Sequence, residues 1–158
     1  MKRLIFFAVL LVPCLAYGNS LKTYTVAGNS MSPVLVSGDK VVVSTEMNKP
    51  MERDDLVAIG FKHSAIPIVK RVVAVEGDRV EIKSNTIFVN EKSFRHIDEK
   101  RWQSTVNQLK RYNWIVPKNN LFILGDNPKN SRDSRRLGLI SMSQIEGKVV
   151  KIIKSASQ

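Results

Sequence analysis

β-Branched residues in this chain come in short runs, and each run stops at a polar turn. Lys22–Val26, Lys40–Ser44, Leu56–Phe61, Ile66–Ala74, Val80–Lys83, Thr86–Asn90, Leu121–Leu124 and Gly147–Ile153 are such runs. Ser37-Gly38-Asp39, Lys62-His63-Ser64, Ser84-Asn85 and Gly125-Asp126-Asn127 break them, and strands joined by turns of this kind make antiparallel sheets. The expected fold is therefore all-β, mainly antiparallel and folded or barrel-like, with at most short helices. Val34-Leu35-Val36 reads as a further apolar run, and 45–53, with Asn48 and Pro50, as an exposed loop. One stretch breaks the pattern: Trp102, Val106 and Leu109 recur at spacings of four and three, which predicts a short amphipathic helix within 98–113.

At 158 residues, 43% of them hydrophobic, the chain can bury one core. Lys2 and Arg3, an apolar run from Leu4 to Leu15 and the small residues of Ala16-Tyr17-Gly18 make 1–18 a secretory leader. The run is shorter than the roughly 20 residues of a comfortable span, which favours a cleaved signal peptide over a short retained anchor. Residues 19–158 are then expected to form a single β-rich domain. The only cysteine, Cys14, lies in the leader, so the domain has no intrachain disulfide and no thiolate metal cluster. A formal net charge of +11 favours anionic partners, a lipid surface ahead of nucleic acid because few aromatics interleave with the basic residues. Solubility alone explains such a charge equally well.

Three stretches carry candidate chemistry. Gly28-Asn29-Ser30-Met31-Ser32-Pro33 holds a serine in a restricted backbone, either as a plain turn or as a nucleophile. A nucleophilic serine needs a base, and the two histidines, His63 and His96, sit in polar, turn-like surroundings that look unlike a site. Lysine can serve if burial keeps it neutral. Lys70 is the best placed, since in an extended strand it shares a face with Ile68, Val72 and Ala74. The other reading is a lysine on the exposed face of an amphipathic strand. The third stretch, Gly125 to Arg135, is dense in hydrogen-bonding groups: Asp126 and Asn127 favour a side-chain-stabilised turn, Ser131 could orient a neutral amine, and Asp133 could pair with Arg135. A solvated charged loop remains the alternative.

Together the three stretches resemble type I signal peptidases, the membrane-bound Ser-Lys endopeptidases that remove leader peptides from exported proteins. The resemblance covers about 22–153. It implies that Ser30, followed by Met31 and Pro33, is the nucleophile. Lys70, opening Lys70-Arg71-Val72 and running on to Gly77-Asp78, would be the general base. The loop from Gly125 to Arg135 matches the family pattern at every fixed position; this implies a hydrogen bond from Ser131 to the lysine amine and a supporting Asp133–Arg135 ion pair. Shallow pockets lined by Met31, Leu35, Ile68 and Val69 would demand small residues one and three before the cut, as in Ala-x-Ala preproteins. No metal or cofactor is implied.

The departures are Gly28, where some members carry a serine that helps hold the oxyanion, and Glu76, where proline is usual. The short chain is similar to the conjugative-transfer peptidases of the same superfamily, which makes a pilin precursor the alternative substrate. The self-cleaving repressors of that superfamily carry a DNA-binding domain where this chain has a leader. A non-catalytic basic β-domain that binds exported chains or lipid is the rival from another class. The implied location is the inner membrane with the catalytic domain on the periplasmic face, or the periplasm after leader removal.

Overall fold

The computed structural model describes residues 20–62, 64–96 and 102–156. The leader, 1–18, lies outside them, as does His63. Ten strands follow in order: β1 Leu21–Thr25, β2 Lys40–Ser44, β3 Leu56–Phe61, β4 Ser64–Ala74, β5 Val80–Lys83, β6 Thr86–Val89, β7 Lys92–His96, β8 Asn120–Leu124, β9 Ile140–Ser141 and β10 Ile145–Ile153. Two helices interrupt them, α1 Gln103–Arg111 and the single-turn α2 Ser134–Leu137. The all-β expectation holds.

Seven strands form one sheet in the order β1-β2-β10-β3-β4-β8-β9, every neighbouring pair antiparallel. Counting along that order, β1 and β4 run in the same direction. The sheet curls enough that residues from the end of β1 and from β4 line one cleft. Sheets twist and coil in one hand, and the irregular registers in β10 and β4 add local bends. On the inner face Met31, Leu35, Val41, Val43 and Ala58 are buried together. A second cluster joins Val57, Ile59, Val72, Leu121, Ile123 and Ile140.

The other three strands form a small sheet, β5-β6-β7. Ser84 and Asn85, both at positive φ (47° and 60°), make the two-residue turn between β5 and β6, and Asn90 and Glu91 (48° and 66°) repeat it between β6 and β7. α1 covers this sheet. Its Trp102 and Leu109 pack with Val80, Ile87, Val89, Phe122 and Leu124, so the predicted spacing marks the buried side of a real helix, shorter than 98–113.

Val34-Leu35-Val36 is not a strand. It lies in a turn in which the Leu35 N–H donates to the Met31 carbonyl at 2.9 Å, and of its three apolar residues Leu35 is buried while Val34 is exposed. Glu76, at the position where the resemblance expects proline, accepts a hydrogen bond from the Asn119 N–H at 3.1 Å.

Candidate active site

The Ser30 turn is rooted from below. Met31 (2% exposed) and Leu35 (0%) descend into the cluster of Val41, Val43 and Ala58, and Ser30, one residue along, is left half-buried at the surface of that plug. Gly28 takes φ +82°, a conformation that strains any residue with a Cβ; a serine there would be costly. The Ser30 N–H donates to no protein acceptor among the described residues.

β4 supplies the lysine. Its 64–70 half pairs with β3 on one side and with nothing on the other, because pairing with β8 begins only at Arg71. Lys70 is the last residue before that pairing begins and is 2% exposed, between the buried Pro67 and Val72. Its Nζ lies 2.7 Å from Ser30 Oγ and 2.7 Å from the Val69 carbonyl oxygen. Desolvation pulls the amine down from 10.5 to about 8, against Asp133 and Asp126, whose charges hold it up.

The loop after β8 clamps the turn from above. The Asn127 N–H donates to the Ser30 carbonyl at 3.0 Å, and Asn127 Nδ2 donates to the Asn29 carbonyl at 3.1 Å. Gly125 packs so closely that a methyl on it would stand 2.5 Å from the Ser30 carbonyl oxygen. Asp133, fully buried, accepts from Gly125 N at 2.9 Å and from Arg135 Nε at 2.8 Å and Nη2 at 3.0 Å, so the expected pair with Arg135 is present. Arg135 is itself only 1% exposed.

Three sequence expectations change. Asp126 does not stabilise its own turn: it takes a bidentate hydrogen bond from Arg71, Nε to Oδ1 at 2.8 Å and Nη2 to Oδ2 at 2.7 Å. Arg71 follows the lysine directly, so this pair locks the loop to β4. Ser131 makes no hydrogen bond to Lys70; its Oγ is buried without a partner and lies against Gly125, where the missing Cβ leaves it room. Leu35 does not line the cleft beside Ser30, because it is buried in the core beneath the turn.

Beside Ser30 runs a cleft of about 210 Å³, bounded by Tyr24 to Ala27, Met31, Val41 and Ile66 to Val69. Met31, Ile68 and Val69 are among the residues that line this cleft. Sequence reasoning did not name Tyr24 and Val26, although the alternation over 22–26 marks them as facing one way. It also missed Arg95, whose Nη1 donates to the Gly125 carbonyl at 2.9 Å and ties the small sheet to the clamp loop. Among the described residues no group of side chains could hold a metal ion.

A basic side chain desolvated against a serine hydroxyl, at the end of an apolar cleft with a free strand edge, defines with this fold a hydrolase of the serine peptidase class. The model of the family "Signal peptidase, peptidase S26" matches residues 1–153, and the chain belongs to that family. Signal peptidase I of Bacillus amyloliquefaciens is 35% identical over 136 residues, 78% of this chain and 69% of the relative. Signal peptidase IB of Staphylococcus aureus (strain COL) is 35% identical over 142 residues, 80% and 74% of the two chains. The crystal structure of a signal peptidase I from Enterococcus faecalis V583 aligns with 65% of this chain and 98% of its own, at 24% identity and a TM-score of 0.47.

Proposed function

We propose that this signal peptidase cuts leader peptides from exported preproteins with Ser30 as nucleophile and Lys70 as general base. The observation that carries the reading is the 2.7 Å contact between Ser30 Oγ and an amine whose burial lowers its pKa. Neutral Lys70 takes the hydroxyl proton as Ser30 Oγ attacks the scissile carbonyl carbon. The developing oxyanion is held by the Ser30 N–H. The Lys70 ammonium then gives its proton to the leaving amine, the peptide C–N bond breaks, and an ester to Ser30 remains. Lys70 next takes a proton from water as the water attacks the ester, then gives it to Ser30 Oγ as the ester C–O bond breaks, which frees the leader's new carboxylate. Asn127, Asp126, Asp133 and Arg135 hold the two reacting side chains in place, and Ser131 fills the space beneath Gly125.

The free edge of β4 sets the substrate's direction. Strand pairing is closed from Arg71 onward, so residues before the cut lie along 64–69, parallel to β4, and add a strand beside it. Alternate side chains of such a strand, those one and three before the cut, face Met31, Val69 and the inner wall, which favours small residues as in Ala-x-Ala. A pilin precursor would be cut by the same chemistry; relatives named signal peptidase I favour preproteins. Residues 19–158 act as one catalytic unit on the periplasmic face of the inner membrane, and the basic surface and the leader support a lipid partner. Among the described residues no helix is long and apolar enough to cross a membrane.

The test is cleavage of an Ala-x-Ala preprotein in detergent by wild type, Ser30→Ala and Lys70→Ala, with the cut read by mass. Cutting after the second alanine by wild type alone is expected; mutants that match wild type would refute the dyad.

A further inference from the structure

The turn that carries Ser30 is a closed loop. The Val26 N–H donates to the Asp39 carbonyl at 2.7 Å and the Gly38 N–H to the Val26 carbonyl at 3.0 Å, so 27–37 leaves the sheet and rejoins it at one point. The loop after β8 holds one shoulder of this turn, through the carbonyls of Asn29 and Ser30. The other shoulder, 34–36, is held by the residues that follow β10.

β10 pairs with β2 as far as Ile153 opposite Lys40, and one step further along that register Lys154 comes beside Asp39. There Lys154 Nζ donates to Asp39 Oδ2 at 2.8 Å and to the Val34 carbonyl at 2.7 Å. Asp39, fully buried, also accepts from the Val36 N–H at 3.0 Å and from the Ser155 N–H at 3.0 Å. Lys154, and then those N–H groups, hold its carboxyl down at about 2, so it is ionised wherever cleavage would be measured. A buried carboxylate is a poor source of stability, and an apolar residue would fill its place as well. What this one adds is geometry: it gathers donors from the nucleophile's own turn and from the end of the chain's last strand.

The shoulder is four residues from the nucleophile, and the Leu35 N–H bond to the Met31 carbonyl makes one stiff turn of the stretch between. Ser30 Oγ and the Val69 carbonyl are the groups that meet the Lys70 amine. A turn that rocks on its base separates hydroxyl from amine and lets water reach the amine.

Resting on the reading of Ser30 and Lys70 above, we propose that Lys154 and Asp39 are positioning residues for the nucleophile: together they latch the far shoulder of the Ser30 turn and keep its hydroxyl seated on the lysine. The latch touches neither substrate nor reacting atoms.

The experiment uses the full chain in detergent and an Ala-x-Ala preprotein, with kcat and KM measured at pH 7 and the bend in kcat/KM followed from pH 6 to 10. Lys154→Met keeps the aliphatic stem and removes the donor. It should lower kcat about tenfold, the scale of a small misplacement of reacting groups, with KM changed by less than about twofold. The bend should move up by about one unit as the amine regains water, Asp126 and Asp133 being present in every variant. Lys154→Arg, which keeps donors for both acceptors, should restore rate and bend together. If Lys154→Met fails to fold because Asp39 is left short of a partner, the double variant Asp39→Asn/Lys154→Met removes that charge and should show the same two changes. A folded variant with wild-type kcat and bend overturns the proposal. So does a lower kcat with the bend unmoved, which a mere loss of folded molecules would produce. A wild type that cuts nothing, or a Ser30→Ala chain that matches it, overturns the reading of the site, and this proposal falls with it.

Discussion

On the proposed mechanism, the pH dependence of cleavage is a direct measure of the burial of Lys70. An amine titrating at 10.5 is neutral in about one molecule in 3,000 at pH 7, and one titrating at about 8 in about one in ten, a gain of roughly 300-fold in competent enzyme. Measured as kcat/KM from pH 6 to 10 on a substrate without titrating groups near the cut, activity should rise tenfold per pH unit, bend near pH 8 and level off above it. Asp126→Asn removes one carboxylate that holds the amine's pKa up, so the bend should move to lower pH. A bend near 10.5 would mean that the lysine is solvated and the cause given for its shift is wrong. A bend near 6.5 would assign the base to a histidine and refute the dyad.

The same shift has a cost in stability. Below pH 8 both folded and unfolded chains hold the Lys70 proton, and the fold carries a penalty of about 3 kcal/mol; between pH 8 and 10.5 only the unfolded chain keeps the proton, so stability rises with pH. Lys70→Met should therefore stabilise the protein at pH 7 by roughly 2 kcal/mol after the loss of its hydrogen bonds, with the gain fading towards pH 10.5 in denaturant titrations. Asp133→Ala removes the buried carboxylate that accepts from Gly125 N and from Arg135 Nε and Nη2, and should cost about 3 to 5 kcal/mol by the same assay. Gly125→Ala drives a methyl against the Ser30 carbonyl and should abolish cleavage while far-UV circular dichroism stays native.

The parts of the fold that were legible in the sequence are those that local pattern controls. β2, β3 and β5 begin and end where their β-branched runs do, and Lys70 could be picked out because apolar residues surround it on its own strand. β7, with its two bases and a histidine, was invisible as a strand: it is an edge, where charge blocks further pairing, and its turn uses Asn90-Glu91 in place of the glycine that would have announced it. β9 is too short to carry a pattern. The Arg71–Asp126 pair, the Arg95 bond to Gly125 and the Asp39–Lys154 contact join residues far apart in the chain, and nothing in the spacing of the partners signals them. Leu35 was placed in a pocket by the resemblance alone, whereas it is buried with Met31 among Val41, Val43 and Ala58 beneath the Ser30 turn, a contact across the fold that no local pattern announces.

β10 lies between β2 and β3, so a strand far along the chain from both joins the two halves of the sheet. Ser30 hangs from β1 and β2, Lys70 from β3 and β4, and until Ile145–Ile153 is in place no pairing connects the first group to the second. Apart from the loop after β8, which holds the Ser30 turn through Asn127 and β4 through Asp126, β10 is what keeps the two groups in one sheet. The pairing of β2 and β3 with β10 joins residues of long sequence separation, which slows folding. Loss of the last strand would disarm the enzyme without touching a residue of its site.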